Sequence, residues 1–204
     1  MSEYGEDYAR YQLDRSWLRK FVRRIYLQSA TAQLAGPTVD LGCGVGELLS
    51  RLPEGSIGLD INPISVEHCH RRGLDAQVYD GEADDWSLRI LEGRRDLRSL
   101  VVSHVLEHLD APMGKLSRLL AACAGLGISR VLVIVPSYRG FASDDTHRTF
   151  IDAAMLSDPS VTRGTGFTLC RARHFPIDAA TAGKFFTHLE LQAVFQYQPG
   201  REPR

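Results

Sequence analysis

Imidazole and carboxylate groups crowd into two short stretches of this chain: His104, Glu107 and His108 in HVLEH, and Asp144, Asp145, His147 and Arg148 in DDTHR. Imidazole titrates near neutral pH, so a histidine among acids can take up and return a proton. The same groups suit a transition metal, because imidazole nitrogen and carboxylate oxygen are both competent ligands. His147 is the preferred candidate base, with Asp144 and His108 beside it. A third stretch, Gly42-Cys43-Gly44-Val45-Gly46, is equipped to bind rather than to react, since glycines let the backbone turn tightly and approach a ligand closely. Asp60, in GLDINP, offers one ionised carboxylate that can accept from two hydroxyls at once. Taken singly, each has a plainer reading: a tight strand–helix connection, a capping acid, a solvated charged loop.

The surrounding pattern decides how these groups can be placed. Short apolar segments fall at 38–41, 56–60, 76–79, 100–103 and 131–135, with helical stretches between them. Asn62-Pro63 reads as a helix N-cap followed by an N1 proline, and Gly73 as its stop. Strands alternating with helices predict a parallel sheet covered on both faces. Two further strand candidates, 167–171 and 188–196, predict an antiparallel pair at the sheet edge. Residues 6–34 read as an amphipathic helix carrying Tyr8, Tyr11, Trp17, Phe21, Ile25 and Leu27, and its aromatic start could serve as a lid. Glu47 to Arg51 is expected to open a helix, whose N-terminal amides would favour an anionic group. The loop 137–166 is expected to be irregular, and the tail 199–204 disordered. The domain proper thus spans 36–198, behind an N-terminal helical segment at 1–35.

HVLEH also fits the pattern of some zinc peptidases, but that requires one continuous helix with both histidines on one face. Here the preceding LVVS reads as a strand, which argues against it. The glycine spacing is GxGxG with Glu47 next, whereas a dinucleotide fingerprint needs GxGxxG, so an NAD-dependent oxidoreductase is disfavoured.

DLGCGVG, GLDINP, LVVSHVLEHL and VLVIVP, in this order, resemble the class I S-adenosylmethionine-dependent methyltransferases over roughly residues 36 to 137. The resemblance implies a Rossmann-like, doubly wound, mostly parallel seven-stranded α/β sheet in a single domain. It implies S-adenosylmethionine as cofactor, lined by Asp40, Gly42, Cys43, Gly44, Gly46, Asp60, Ile61, Asp80, Gly81, Ser103, His104 and Val105. Asp60 would hold the ribose, Asp80 and Gly81 would flank the adenine, and the segment from Ser103 would border the sulfonium. Tyr138, Arg139, Asp145 and Arg148 fall where that family places substrate-binding groups. The HVLEH segment is also similar to small-RNA 2′-O-methyltransferases, whose E-x-x-E-H set and later histidine hold a divalent metal such as magnesium. Position 104 is His where that pattern has Glu, and His147 could supply the later histidine, so the resemblance implies a candidate metal set of His104, Glu107, His108 and His147.

Composition narrows the partners. The formal net charge is -1, so no global field draws the chain to nucleic acid or acidic lipid. The four cysteines show no CxxC pairing, as expected of reduced thiols in a cytoplasmic protein, and the polar start MSEYGEDYARY reads as no signal peptide. No apolar run approaches a membrane span. The expected function is O-methylation of a small hydroxylated acceptor such as a sugar or glycan, with a homodimer left open. The rivals are a metal-assisted RNA methyltransferase, the oxidoreductase, and a subunit that binds cofactor without turnover.

Overall fold

A computed structural model of the protein describes residues 17–178 and 189–198, with side chains of the first helix from residue 23 onward. The aromatic start expected as a lid and the tail 199–204 lie outside the described residues. Seven strands form one sheet: β1 (Thr38–Leu41), β2 (Ile57–Asp60), β3 (Ala76–Val78), β4 (Ser99–Ser103), β5 (Arg130–Pro136), β6 (Phe167–Phe175) and β7 (Glu190–Tyr197). Their order is β3-β2-β1-β4-β5-β7-β6. The first five run parallel, and β7 pairs antiparallel with both β5 and β6. This is the predicted doubly wound α/β architecture with its antiparallel edge.

The period-two pattern of the central strands sorts their side chains onto two faces. Leu100 and Val102 of β4, and Val131, Val133 and Val135 of β5, join one core with Leu116, Leu119, Leu120 and Cys123 of the helix Pro112–Leu126. Their neighbours Val101, Leu132 and Ile134 enter the opposite core with Leu27 and Ala30 of helix α1 (Trp17–Thr31). Strands buried on both faces read as near-continuous apolar runs, which is why VLVIV was legible as a strand. The buried Gln192 of β7 accepts at Oε1 from Ser29 Oγ of α1 and from Gln33 Nε2 just beyond that helix. Ile25, expected on the apolar stripe of α1, is exposed, and Tyr26 is buried instead, edge-on to Phe175.

Helix α2 (Pro63–Arg71) begins as read: Asn62 Oδ1 accepts from the Ile64 N–H at 3.0 Å, with Pro63 in the first turn. Helix α3 (Pro112–Leu126) ends on Gly127 at φ 77°, with Ile128 N–H bonded back to Cys123 O. The helix expected from Glu47 does not form. Only a 3-10 turn at Leu49–Arg51 follows the glycine loop. One cause is visible: Pro53 disfavours helix at the residue before it. The stretch 137–166, expected to be irregular, contains three single-turn helices, α4 (Tyr138–Phe141), α5 (Ala153–Leu156) and α6 (Pro159–Thr162). Asp152 and Asp158 cap the last two. Among the described residues no helix is long and apolar enough to cross a membrane.

Gly42 shows how tightly the chain packs at the carboxyl end of β1. Its φ is 77°, and a Cβ there would lie 2.3 Å from Val105 Cγ2. A Gly42→Ala variant should lose about 2–4 kcal/mol in denaturant unfolding, from the left-handed backbone and the collision together. Adding Val105→Ala should recover the collision part only.

Candidate active site

The strand order reverses between β1 and β4, and in open α/β sheets the crevice at the carboxyl ends of such strands is where ligands bind. The glycine loop leaves β1 at this point, and Ser103 and His104 leave β4 beside it. Gly42, Gly44 and Gly46 all have positive φ. Gly42 N–H and Cys43 N–H both donate to Leu59 O, which ties the loop to β2. Asp60 completes the tie: its Oδ2 accepts from Gly44 N–H at 2.7 Å and its Oδ1 from Asn62 N–H at 2.8 Å. Burial pushes the Asp60 carboxyl up, and these two N–H donors pull the other way. Each oxygen keeps a lone pair for a further donor.

Two residues expected to line the cofactor are buried beneath the loop. Asp40 is only 2% exposed. Cys43 packs against Leu49, Val66, Cys69 and Ala76 and fills the space that Gly58 leaves open. Neither reaches an open surface. Ile61 is exposed at the end of β2. Asp80 accepts from Glu82 N–H and Ala83 N–H, forming the turn after β3, and Gly81 is glycine because the Trp86 ring lies against it.

Asp40 makes the fold sensitive to pH. Burial raises its carboxyl to about 7, with Asp60 adding to the effect. An unfolded Asp titrates near 3.9. Between about 4 and about 7 the folded chain therefore holds a proton that the unfolded chain has lost, and stability falls as pH rises through that window. Asp40→Asn removes the titration. Melting temperatures of the two proteins should diverge in favour of the variant from pH 4 to pH 8, and parallel curves would show that Asp40 is ionised throughout.

The second group of residues sits just beyond. After β4 the chain passes through His104 at φ 56° and a 3-10 turn at Leu106–His108. The loop after β5 is strapped onto this turn: Arg148 N–H and Thr149 N–H both donate to Glu107 O, and Thr149 Oγ1 to Leu109 O. The strap carries His147 to His108, with ring centroids 4.8 Å apart. His147 stacks on Phe141 and donates through Nδ1 to Phe141 O at 2.8 Å, which leaves its Nε2 as the basic nitrogen. That nitrogen lies 3.9 Å from Asp144 Oδ2. Burial lowers the His108 pKa; Glu107 works against this and the neighbouring His147 adds to it. Asp144 is held below the usual carboxylate range, burial being outweighed by its bonds from Thr146. It is an ionised acceptor and not an acid.

Glu107 is fully buried, and its Oε2 has no hydrogen-bond partner. Ligand atoms of Glu107, His108 and His147 lie within 4.8 Å of one another. His104, assigned to the same metal set from sequence, is held apart from it: Nδ1 faces Glu107 Oε1 and Nε2 faces Glu190 Oε1, each at 3.0 Å. Burial would lower the His104 pKa, but its bonds to the two carboxylates outweigh this and hold it at about 10. A doubly donating imidazolium has no lone pair for a metal. Glu190 had no motif to flag it. Tyr138 is 60% exposed and meets Phe150 edge-on, and Phe150 in turn meets Phe141. Arg139 and Asp145 are exposed on the same loop, and Arg148 is turned to Asp110.

No protein-family model matches the chain, and no curated protein matches it in sequence. Solved structures do resemble it. A SAM-dependent methyltransferase from Archaeoglobus fulgidus aligns with a TM-score of 0.62 at 19% identity, over 87% of this chain and 94% of its own. The magnesium protoporphyrin IX methyltransferase of Synechocystis, solved with bound SAH, gives 0.63 at 14% identity, over 91% and 89%. The chain has the class I methyltransferase fold. The same fold also carries a 4+2 cyclase, which aligns at 0.63 with 14% identity over 92% and 85%, so the reaction must be argued from the site. In this fold the glycine loop, Asp60 and the segment from Ser103 meet at the carboxyl ends of β1, β2 and β4. The segment from Ser103 to His108 then continues into the histidine cluster.

Proposed function

We propose that the protein is an S-adenosylmethionine-dependent methyltransferase that methylates a hydroxyl oxygen of a small acceptor, with a sugar or other polyol as the best-suited class. The observation that carries this reading is the continuity of one short segment: Val105 abuts the glycine loop at Gly42, and Glu107 and His108 follow within three residues. A cofactor cradle and a proton-accepting cluster thus share a wall. Asp60 is suited to a ribose diol, and the positive-φ loop permits close backbone approach. Methyl transfer is an in-line displacement in which much of the rate comes from alignment, worth roughly 7–11 kcal/mol. The cofactor supplies the activated methyl group, and the chain supplies position and electrostatics. A hydroxyl becomes an adequate nucleophile as it loses its proton, and His147 Nε2 is the base, with Asp144 beside it. Tyr138 and Phe150 offer an apolar face for the carbon skeleton of the acceptor, and Arg139, Asp145 and Arg148 a polar rim.

A metal-assisted variant of the same reaction is favoured by the unpartnered, buried Glu107 Oε2 beside two imidazoles. An orphaned buried carboxylate oxygen costs free energy unless something occupies it, and two nitrogens with one carboxylate suit a divalent transition metal better than magnesium. Glu107, His108 and His147 would hold such an ion, and it would lower the pKa of an acceptor hydroxyl.

Transfer of labelled methyl from S-adenosylmethionine to a panel of sugars, phenols and amines, with chelator or with added divalent metal, tests both readings. Methylation of polyols supports the first, and its loss on chelation supports the metal. Methylation of amines alone would overturn the oxygen assignment. Failure to bind the cofactor in calorimetry would overturn the methyltransferase reading itself.

A further inference from the structure

The residue at the centre of HVLEH chemistry is the one that the cluster leaves out. His104 occupies a left-handed backbone conformation that non-glycine residues seldom adopt. Such strain persists only where the surroundings over-determine it. Here the surroundings are visible. His104 N–H donates to Ile134 O at 2.9 Å, its Nδ1 meets Glu107 Oε1 and its Nε2 meets Glu190 Oε1. Glu190 opens β7 and lies in register with Pro136, the last residue of β5. The side chain of Glu107 is 1% exposed and that of Glu190 11%, so both acids are removed from water around one imidazole. Both ring nitrogens are thereby engaged, one by each of the two acids.

We propose that His104 is a positioning residue for the Glu107–His108–His147 cluster: gripped from behind by Glu190, it holds Oε1 of Glu107 and so reserves Oε2 for a divalent transition cation. The inference rests on the metal-assisted reading above. It assigns a role to Glu190, a residue on the antiparallel edge of the sheet and outside the cluster. It also gives the ion three protein ligands, two nitrogen and one oxygen, with the remaining positions open. Partners that orient a metal ligand in this way typically change affinity 10- to 100-fold when removed.

Cobaltous ion is the probe, because it reports both affinity, by calorimetry, and ligand geometry, by its visible spectrum. Full-length wild-type protein, His104→Gln, Glu190→Ala, Glu190→Gln and Glu107→Gln are compared, with melting curves without metal to confirm folding. The expected result is a 10- to 100-fold weaker affinity and an altered cobalt spectrum in His104→Gln and in Glu190→Ala. A smaller change is expected in Glu190→Gln, which keeps an acceptor for His104. The outcomes separate cleanly. If wild type and Glu107→Gln alike bind no cobalt, the metal reading fails and the positioning role with it. If wild type binds and Glu107→Gln does not, while His104→Gln and Glu190→Ala bind as wild type with the same spectrum, the positioning role alone is overturned. If Glu190→Ala binds more tightly, His104 is a ligand that Glu190 withholds, and the proposal is again overturned. Should Glu190→Ala fail to fold, Glu190→Gln and His104→Gln decide between the same outcomes.

Discussion

An Asp60→Asn variant should bind S-adenosylmethionine and its demethylated product at least about 100-fold more weakly than wild type, the equivalent of about 2.7 kcal/mol. Two losses add. The first is charge: hydrogen bonds to an ionised carboxylate contribute roughly 1.5–3 kcal/mol each, and a ribose diol would make two. The second is the loop. Asp60 accepts from Gly44 N–H and Asn62 N–H, one on each oxygen. An asparagine presents an NH2 group to one of them, which cannot accept. Either Gly44 then loses the contact that ties the middle of the glycine loop to β2, or Asn62 loses its acceptor at the start of α2. Isothermal titration with S-adenosylhomocysteine measures the change directly. An affinity within about threefold of wild type would remove Asp60 from the cofactor site and would point to a different crevice. Asp60→Glu is a useful companion, since it keeps the charge but displaces it by one methylene, and it should fall between the two.

His147→Ala should behave in the opposite way, leaving cofactor affinity intact and slowing methyl transfer about 10²–10⁴-fold, the range typical of a general base. The separation is expected because His147 lies on the loop after β5, tied to the turn after β4, while the glycine loop is tied to β2. The lesion should show at pH 7 in kcat more than in KM, since the alanine removes an interaction made as the hydroxyl proton moves. Substitution also removes the Phe141 stack, so His147→Gln serves as the control that keeps bulk at the site. Full turnover with a variant that still binds cofactor would exclude His147 from the chemistry.

Much of the frame was readable in the residues. The strands announced themselves because a parallel strand covered on both faces must be apolar along its whole length, as in VLVIV. Helix α2 was legible from Asn62-Pro63 and Gly73, since capping is a local matter of a side chain and the next few amides. The pairing of Glu107 with His108 was legible for the same reason. Other features resisted. The helix expected after the glycine loop is a single 3-10 turn, which Pro53 cuts short. The burial of Asp40 and Cys43 beneath the loop was not legible, since the sequence shows that a residue sits at a strand end but not which way its side chain turns.

The chain's own order of residues determined the strand–turn–strand frame, the positive-φ glycines and the presence of Asp60 at the end of β2, all of which follow from local sterics and the alternation of apolar side chains. What only the tertiary structure decided is the company each titratable group keeps. His104 and Glu190 stand 86 positions apart, and His108 and Thr146 stand 38. No periodicity links residues at such separations. Their contact is set by which strand β7 pairs with and by where the loop after β5 is strapped, and these depend on the packing of the whole sheet.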